Sequence, residues 1–182
     1  MKVVDLKIGD CVHYGAHGVC RVCGREARDV GGKQRMYIAL KPTGRENILL
    51  YLPEDAEPEK VRLRQLLSRQ ELLDLIDQCR LAPVEWISDS KLRREAFSKT
   101  LRSGDAGALL QMMRAIRLRQ EALPQGKQLP MSDQEMLQAA RRQLYSELSC
   151  VLSLEESQVQ PFILSRLQLT ELDGNSAAAV TE

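Results

Sequence analysis

Two spacings of apolar residues divide the chain. Up to about residue 59 they come in short runs, at 11–14, 19–22, 36–40 and 48–52, each closed by glycine or proline. Runs of four or five such residues between turn signals predict β-strands. Gly9-Asp10, Gly15, Gly18, Gly31-Gly32 and residues 42–44 supply the turns. The Gly31-Gly32 pair predicts a tight hairpin, because both glycines can take a positive φ without a Cβ clash. Several short strands within 55 or so residues suggest a small, strongly bent barrel.

Beyond the proline-bounded stretch 53–58 the turn residues thin out, and apolar positions recur every three or four residues. That is the helical period. Ser68-Arg69-Gln70-Glu71 has the form of a capping box, opening a helix that carries Leu72, Leu73, Leu75 and Ile76 and that Pro83 limits. Ser132 with Glu135, and Ser153 with Glu156, repeat the Ser-x-x-Glu pattern and predict helices over about 133–152 and 154–169. Two amphipathic stretches, about 90–101 and 105–122, are parted by Ser103-Gly104-Asp105, with Ser103 or Asp105 as cap of the second. Residues 124–130 read as a loop and 171–182 as a disordered tail. The expected fold class is α+β: a Tudor/SH3-like barrel over residues 1–59, then about five helices over 60–170.

Charge sharpens this division. The formal net charge is only +1, and residues 1–59 are balanced, yet residues 86–127 hold nine lysines and arginines against four acidic residues. The positive charge is concentrated in the helical part. With aromatic residues at 4%, the core must be largely aliphatic, and the single Trp86 stands out. Five irregularly spaced cysteines, and an N-terminal stretch with no long apolar run, lead us to expect reduced thiols in a cytoplasmic protein. No run approaches the roughly 18 apolar residues of a membrane span.

Little of the sequence suggests catalysis. It has no phosphate-binding glycine loop and no Gly-x-Ser-x-Gly, and only two histidines could act as a general base. His13, His17, Cys20 and Cys23 raise a zinc site, but residues three apart on a strand face opposite ways, and structural zinc needs four ligands at paired spacings. Cysteines packed as small apolar residues are the favoured reading. We therefore expect no metal, no cofactor and no enzymatic activity.

Trp86 lies between Pro83 and a basic helix that carries Lys91, Arg93, Arg94, Lys99 and Arg102. A lone Trp is more often core than surface, and a basic helix more often a solvated face. Together they also fit a phosphate-contacting surface with an apolar wedge for a distorted minor groove.

With those residues assembled, the chain resembles the CarD-like family of bacterial transcription regulators, whose first domain is similar to the RNA polymerase-interacting domain of transcription-repair coupling factors. The likeness runs from about Leu6 to Leu167. It rests on Ile8-Gly9-Asp10-x-Val12-x-Tyr14-x-x-His17-Gly18-Val19, Gly32-Lys33-Gln34-x-x-Tyr37-Ile38-x-Leu40 and Leu52-Pro53-x-Asp55-Ala56. Trp86 with its basic followers, Leu101-x-Ser103-Gly104-Asp105 and Met113-Arg114-x-Ile116 extend it into the helical part.

The resemblance implies that the barrel adds a strand edge to the β-subunit lobe of RNA polymerase. Ile48, Leu49, Leu50 and Tyr51 match the strand that makes this contact, and Arg28 matches a contact position. Tyr51 stands where relatives can carry Arg. An edge strand suits the task, since it offers unpaired backbone groups and alternate side chains. The resemblance further implies that Trp86 wedges into the minor groove at the upstream edge of the opening promoter bubble, with Lys91 at a DNA-contacting position. Glu85, Ser88 and Asp89 replace Asn or Arg found in relatives, so DNA contact without polymerase is expected to be weak and not sequence-specific. A monomer is expected. Rival readings are a helical adaptor in which Trp86 is core and touches no DNA, and an RNA-binding small barrel, for which only Tyr14, Tyr37 and Tyr51 offer aromatic surface.

Overall fold

The computed structural model of the chain describes residues 2–44 and 47–167. Five antiparallel strands form one sheet: β1 (Cys11–Tyr14), β2 (Val19–Val30), β3 (Lys33–Pro42), β4 (Leu50–Pro53) and β5 (Leu63–Gln65). Their order is β4-β3-β2-β1-β5. Gly31 and Gly32, at φ +65° and +79°, make the two-residue hairpin between β2 and β3. A register shift between Val22 and Gly24 bends the long β2. Val12, Cys20, Val22, Ile38 and Leu40 share one buried cluster with Leu52 of β4 and Leu63 of β5. Because both edge strands point residues into the same core, the sheet curls around it as a small barrel does.

The sheet differs from the sequence pattern in two places. β5 lies beyond residue 59, where the barrel was expected to end, and pairs with β1 through Val12↔Gln65 and His13↔Arg64. Three residues are too few to display a period, and a one-turn helix α1 (Pro58–Val61) precedes them. At the other edge, β4 begins at Leu50, so Ile48 and Leu49 lie ahead of the strand.

Five longer helices follow: α2 (Arg69–Leu81), α3 (Ser90–Ser103), α4 (Ala106–Glu121), α5 (Met131–Leu152) and α6 (Glu156–Leu167). The Ser68–Glu71 capping box forms in full. Asp105, not Ser103, caps α4 by accepting from the Ala108 N–H at 2.7 Å. The other two Ser-x-x-Glu patterns do not act as boxes. α5 starts at Met131 behind Pro130, whose fixed φ suits a helix entry, and Asp133 is drawn into the interior. Ser153 instead ends α5 in the left-handed conformation, at φ +55°. The expected tail, 171–182, and the end of the last expected helix lie outside the described residues.

Two apolar clusters hold the helices. One joins Leu72 and Ile76 of α2, Leu110 of α4, Leu144 and Leu148 of α5, and Val159 and Ile163 of α6. The other joins Phe97 of α3, Leu109 and Ile116 of α4, and Leu137 and Ala140 of α5, with Trp86 leaning on it. Each fully buried Leu or Ile contributes about 1.5–3 kcal/mol by leaving water. No described helix is long and apolar enough to cross a membrane.

The sheet and the helices meet at a polar joint. Glu147 of α5, 1% exposed, receives two hydrogen bonds from Arg64 of β5 at 2.6 and 2.8 Å and one from the Leu67 N–H at 3.0 Å. Arg64 also donates to the Gly104 carbonyl, and Arg62 donates to that of Arg102. His13 of β1 is buried beside them. Gly104 ends α3 at φ +67°, and a Cβ there would sit 2.7 Å from the His13 ring. Glycine is required here by both conformation and space.

Candidate functional site

The first candidate surface is the β4 edge of the sheet. β4 pairs only with β3, in the register Leu40↔Leu50, Ala39↔Tyr51 and Ile38↔Leu52, and no described strand covers its other side. Alternation sends Leu52 into the barrel core and Tyr51 to the opposite face. The Arg28 guanidinium lies over the Tyr51 ring, 3.1 Å from its centroid, and its Nε pairs with Glu26. Tyr51 thus holds a cation on this face although it is itself neutral. Just ahead of the strand, Ile48 and Leu49 are 38% and 45% exposed. Exposed aliphatic residues leading into a row of unpaired backbone groups are what a strand-adding partner needs, and in its absence are a liability. Residues 48–51 therefore fall on or beside one edge, and Arg28 of β2 reaches that edge only through its guanidinium over the Tyr51 ring.

The second candidate surface is a corner around Trp86. The indole is partly buried: one side rests on the helical core, where it meets the Phe97 ring edge-on at 6.3 Å. Two guanidiniums flank it, Arg93 at 4.5 Å and Arg119 at 5.7 Å from the ring centroid. Trp86 is thus neither a fully buried anchor nor a free side chain. It is an anchored ring with part of its surface outward.

The two arginines differ in kind. Arg93 is 5% exposed; its Nε and Nη2 donate to Asp133 of α5 at 3.0–3.2 Å, and its Nη1 donates to the Ile87 and Ser88 carbonyls at 2.7 and 3.1 Å. The expectation that Arg93 contacts phosphate is corrected: its donors are used internally, and it ties the Trp86 segment to α3 and α5. On the helical wheel it shares the inward side with Phe97. Arg119 of α4 is exposed and is not among the residues that the sequence pattern marks out. Its signal there was weak, one cation among several on a helix 33 residues downstream of Trp86.

Lys91, Arg94, Lys99 and Arg102 are all exposed on the outward half of α3. They do not form one cluster. Lys91 and Arg94 lie on the first turns, nearest to Trp86 in the chain, whereas Arg102 is about 16 Å further along the axis, close to the joint with the sheet. Asp89 accepts a hydrogen bond from the Leu92 N–H at 2.8 Å and caps α3. Its carboxylate is spent on helix initiation.

At the joint, burial and the Arg64 charge push the His13 pKa from 6.5 down to about 4, against a smaller opposing effect of Glu147. Burial pushes the Glu147 carboxyl up, but the Arg64 hydrogen bonds and charge, the Leu67 N–H and His13 outweigh it and hold the group below its ordinary value. Neutral His13 and ionised Glu147 are therefore the forms that fit the fold. Among the described residues no cluster of three or more His, Cys, Asp or Glu side chains could hold a metal.

Two family models match the chain, one on each side of α2. Residues 6–65, ending with β5, match the CarD-like/TRCF RID domain, and residues 83–163 match the CarD C-terminal domain.

Proposed function

The chain belongs to the CarD-like family of RNA polymerase-interacting transcription regulators, and from that premise we propose that it docks on the polymerase β-subunit lobe through β4 and braces promoter DNA with the Trp86 corner. In this reading the β4 backbone extends a strand of the lobe, Ile48 and Leu49 bury against it, and Tyr51 presents Arg28. The outward part of Trp86 rests against the minor groove at the upstream edge of the bubble, with Lys91, Arg94 and Arg119 facing phosphates. Lys99 and Arg102 add long-range attraction. Regulation then follows from binding energy alone, exerted on the lifetime of the open complex.

The observation that carries this reading is the open β4 edge with exposed aliphatic residues beside it. The direct test is capture of the isolated β lobe by the full chain and by Tyr51→Glu and Leu49→Glu variants. Both side chains lie outside the barrel core, so the variants should fold and lose at least tenfold in affinity. Undiminished capture by both would remove the edge from the account. Leu50 is less suited to such a test, because it leans on the barrel core and pairs with β3.

The packing of Trp86 on Phe97 favours a second reading, a helical protein–protein adaptor with a structural tryptophan and no DNA contact. The two readings share the β4 edge and differ only at the corner.

A further inference from the structure

One face of α5 looks onto the sheet. Gln143 and Ser146 lie against Gly18, and the Ser146 hydroxyl accepts from the Val19 N–H at 3.3 Å. One residue on, Glu147 binds Arg64. Cys150 is the next position of this face at the helical spacing of three to four. On β1, Cys11 lies two residues before His13 and so points to the same side, away from Val12 and the barrel core. The spacings that set Gly18 and Val19 against Gln143 and Ser146, and Arg64 against Glu147, thus carry Cys11, opposite Arg21 of β2, and Cys150 to the same stretch of the seam. They are 139 positions apart, one in each half of the molecule. Cys150 is exposed and Cys11 partly so.

The other three cysteines are placed differently. Cys20 and Cys79 are buried in the sheet and helical cores. Burial, with Cys11 and Cys23 nearby, pushes the Cys20 thiol up to about 12, which leaves it inert. Cys23 is exposed on β2.

We propose that Cys11 and Cys150 form an oxidative modification site, at which a disulfide fastens the sheet to the helical region. The oxidant is a low-molecular-weight disulfide. One protein thiolate attacks it, forming a mixed disulfide and releasing one small thiol. The second protein thiolate then attacks the protein-side sulfur, closing the Cys11–Cys150 bond and releasing the other small thiol. Two protein thiols are oxidised, one small disulfide is reduced, and the two protein protons leave on the released thiols. Each step needs a thiolate, so the exchange quickens as pH rises. The bond would close a long loop and fix the joint that separates β4 from Trp86, and the inference rests on the fold, independent of what either surface binds.

The test is incubation of the reduced full chain with oxidised glutathione, then peptide mapping by mass spectrometry without reduction. The expected product is a Cys11–Cys150 linked peptide with loss of two of the five free thiols. The thermal midpoint should rise by roughly 5–15 °C and fall back on addition of dithiothreitol. Cys150→Ser should abolish the link, and Cys23→Ser should leave it intact. Stable glutathione adducts on Cys150 with no linked peptide, or Cys23-linked dimers as the main product, would overturn the proposal.

Discussion

At the β4 edge the groups on offer are backbone N–H and C=O groups with side chains on alternate positions, whereas at the Trp86 corner they are side chains assembled from a linker and three helices. The edge draws on contiguous residues, 48–53, and its geometry follows from lying last in a sheet. The corner draws on Trp86, Phe97, Arg119 and, behind them, the Arg93–Asp133 pair, which spans 40 positions. A surface of the first kind tolerates many sequences. One of the second kind depends on a buried support, and its exposed cations and its buried cation look alike in sequence.

That contrast can be broken most forcefully at the support. Arg93→Ala leaves the Asp133 carboxylate, 3% exposed, without its partner. Breaking such a buried pair costs about 3–5 kcal/mol, whereas Arg94→Ala one residue on should change stability by no more than about 0.5 kcal/mol. Urea unfolding of both variants checks this, and equal, small losses would mean that Arg93 is not the brace described.

The joint between the two regions should respond to acid. Unfolded His13 takes up a proton below about pH 6.5, while the folded side chain resists until about 4. Between those values the unfolded state holds more protons, so stability is full above pH 6.5 and declines as pH falls through the window. The expected loss between pH 7 and pH 4 is about 3 kcal/mol. Glu147, held below its ordinary value by Arg64 and its other partners, adds a loss in the same direction at lower pH. His13→Gln should flatten the profile above pH 4. A profile as steep in that variant would assign the acid sensitivity elsewhere.

A smaller effect distinguishes the cations of α3. If Lys91 and Arg94 face phosphate, neutralising both should make the dependence of promoter binding on log salt shallower by about one to two. The same change at Lys99 and Arg102, farther along the helix, should do less. Equal slopes for the two double variants would erase the distinction between the ends of α3.

The edge was readable in sequence because its signals are local. A short apolar run beside Pro53 marks an edge strand, and Gly31-Gly32 marks the hairpin that positions its neighbour. The helices were readable through their period, and Ser68 through its box. Other assignments depended on partners far along the chain. Ser132 and Ser153 carry the capping pattern but sit where Pro130 and a left-handed turn decide the helix ends. β5 was hidden because only its pairing with β1 makes three residues a strand. Arg93 reads as one cation in a basic helix until Asp133 is brought opposite it, and Arg119 has no visible tie to Trp86 until α4 packs beside it.

The corner itself is tested most directly by Trp86→Ala in a promoter-opening assay. Because the ring is only partly buried, the substitution should cost about 1–2 kcal/mol, well under the 3–5 of a fully buried aromatic. It should also leave capture of the β lobe intact. In this folded, polymerase-bound variant the lifetime of the open complex should change, read from a fluorescent promoter probe. An unaltered lifetime in that variant would contradict this and leave Trp86 as the structural residue of an adaptor.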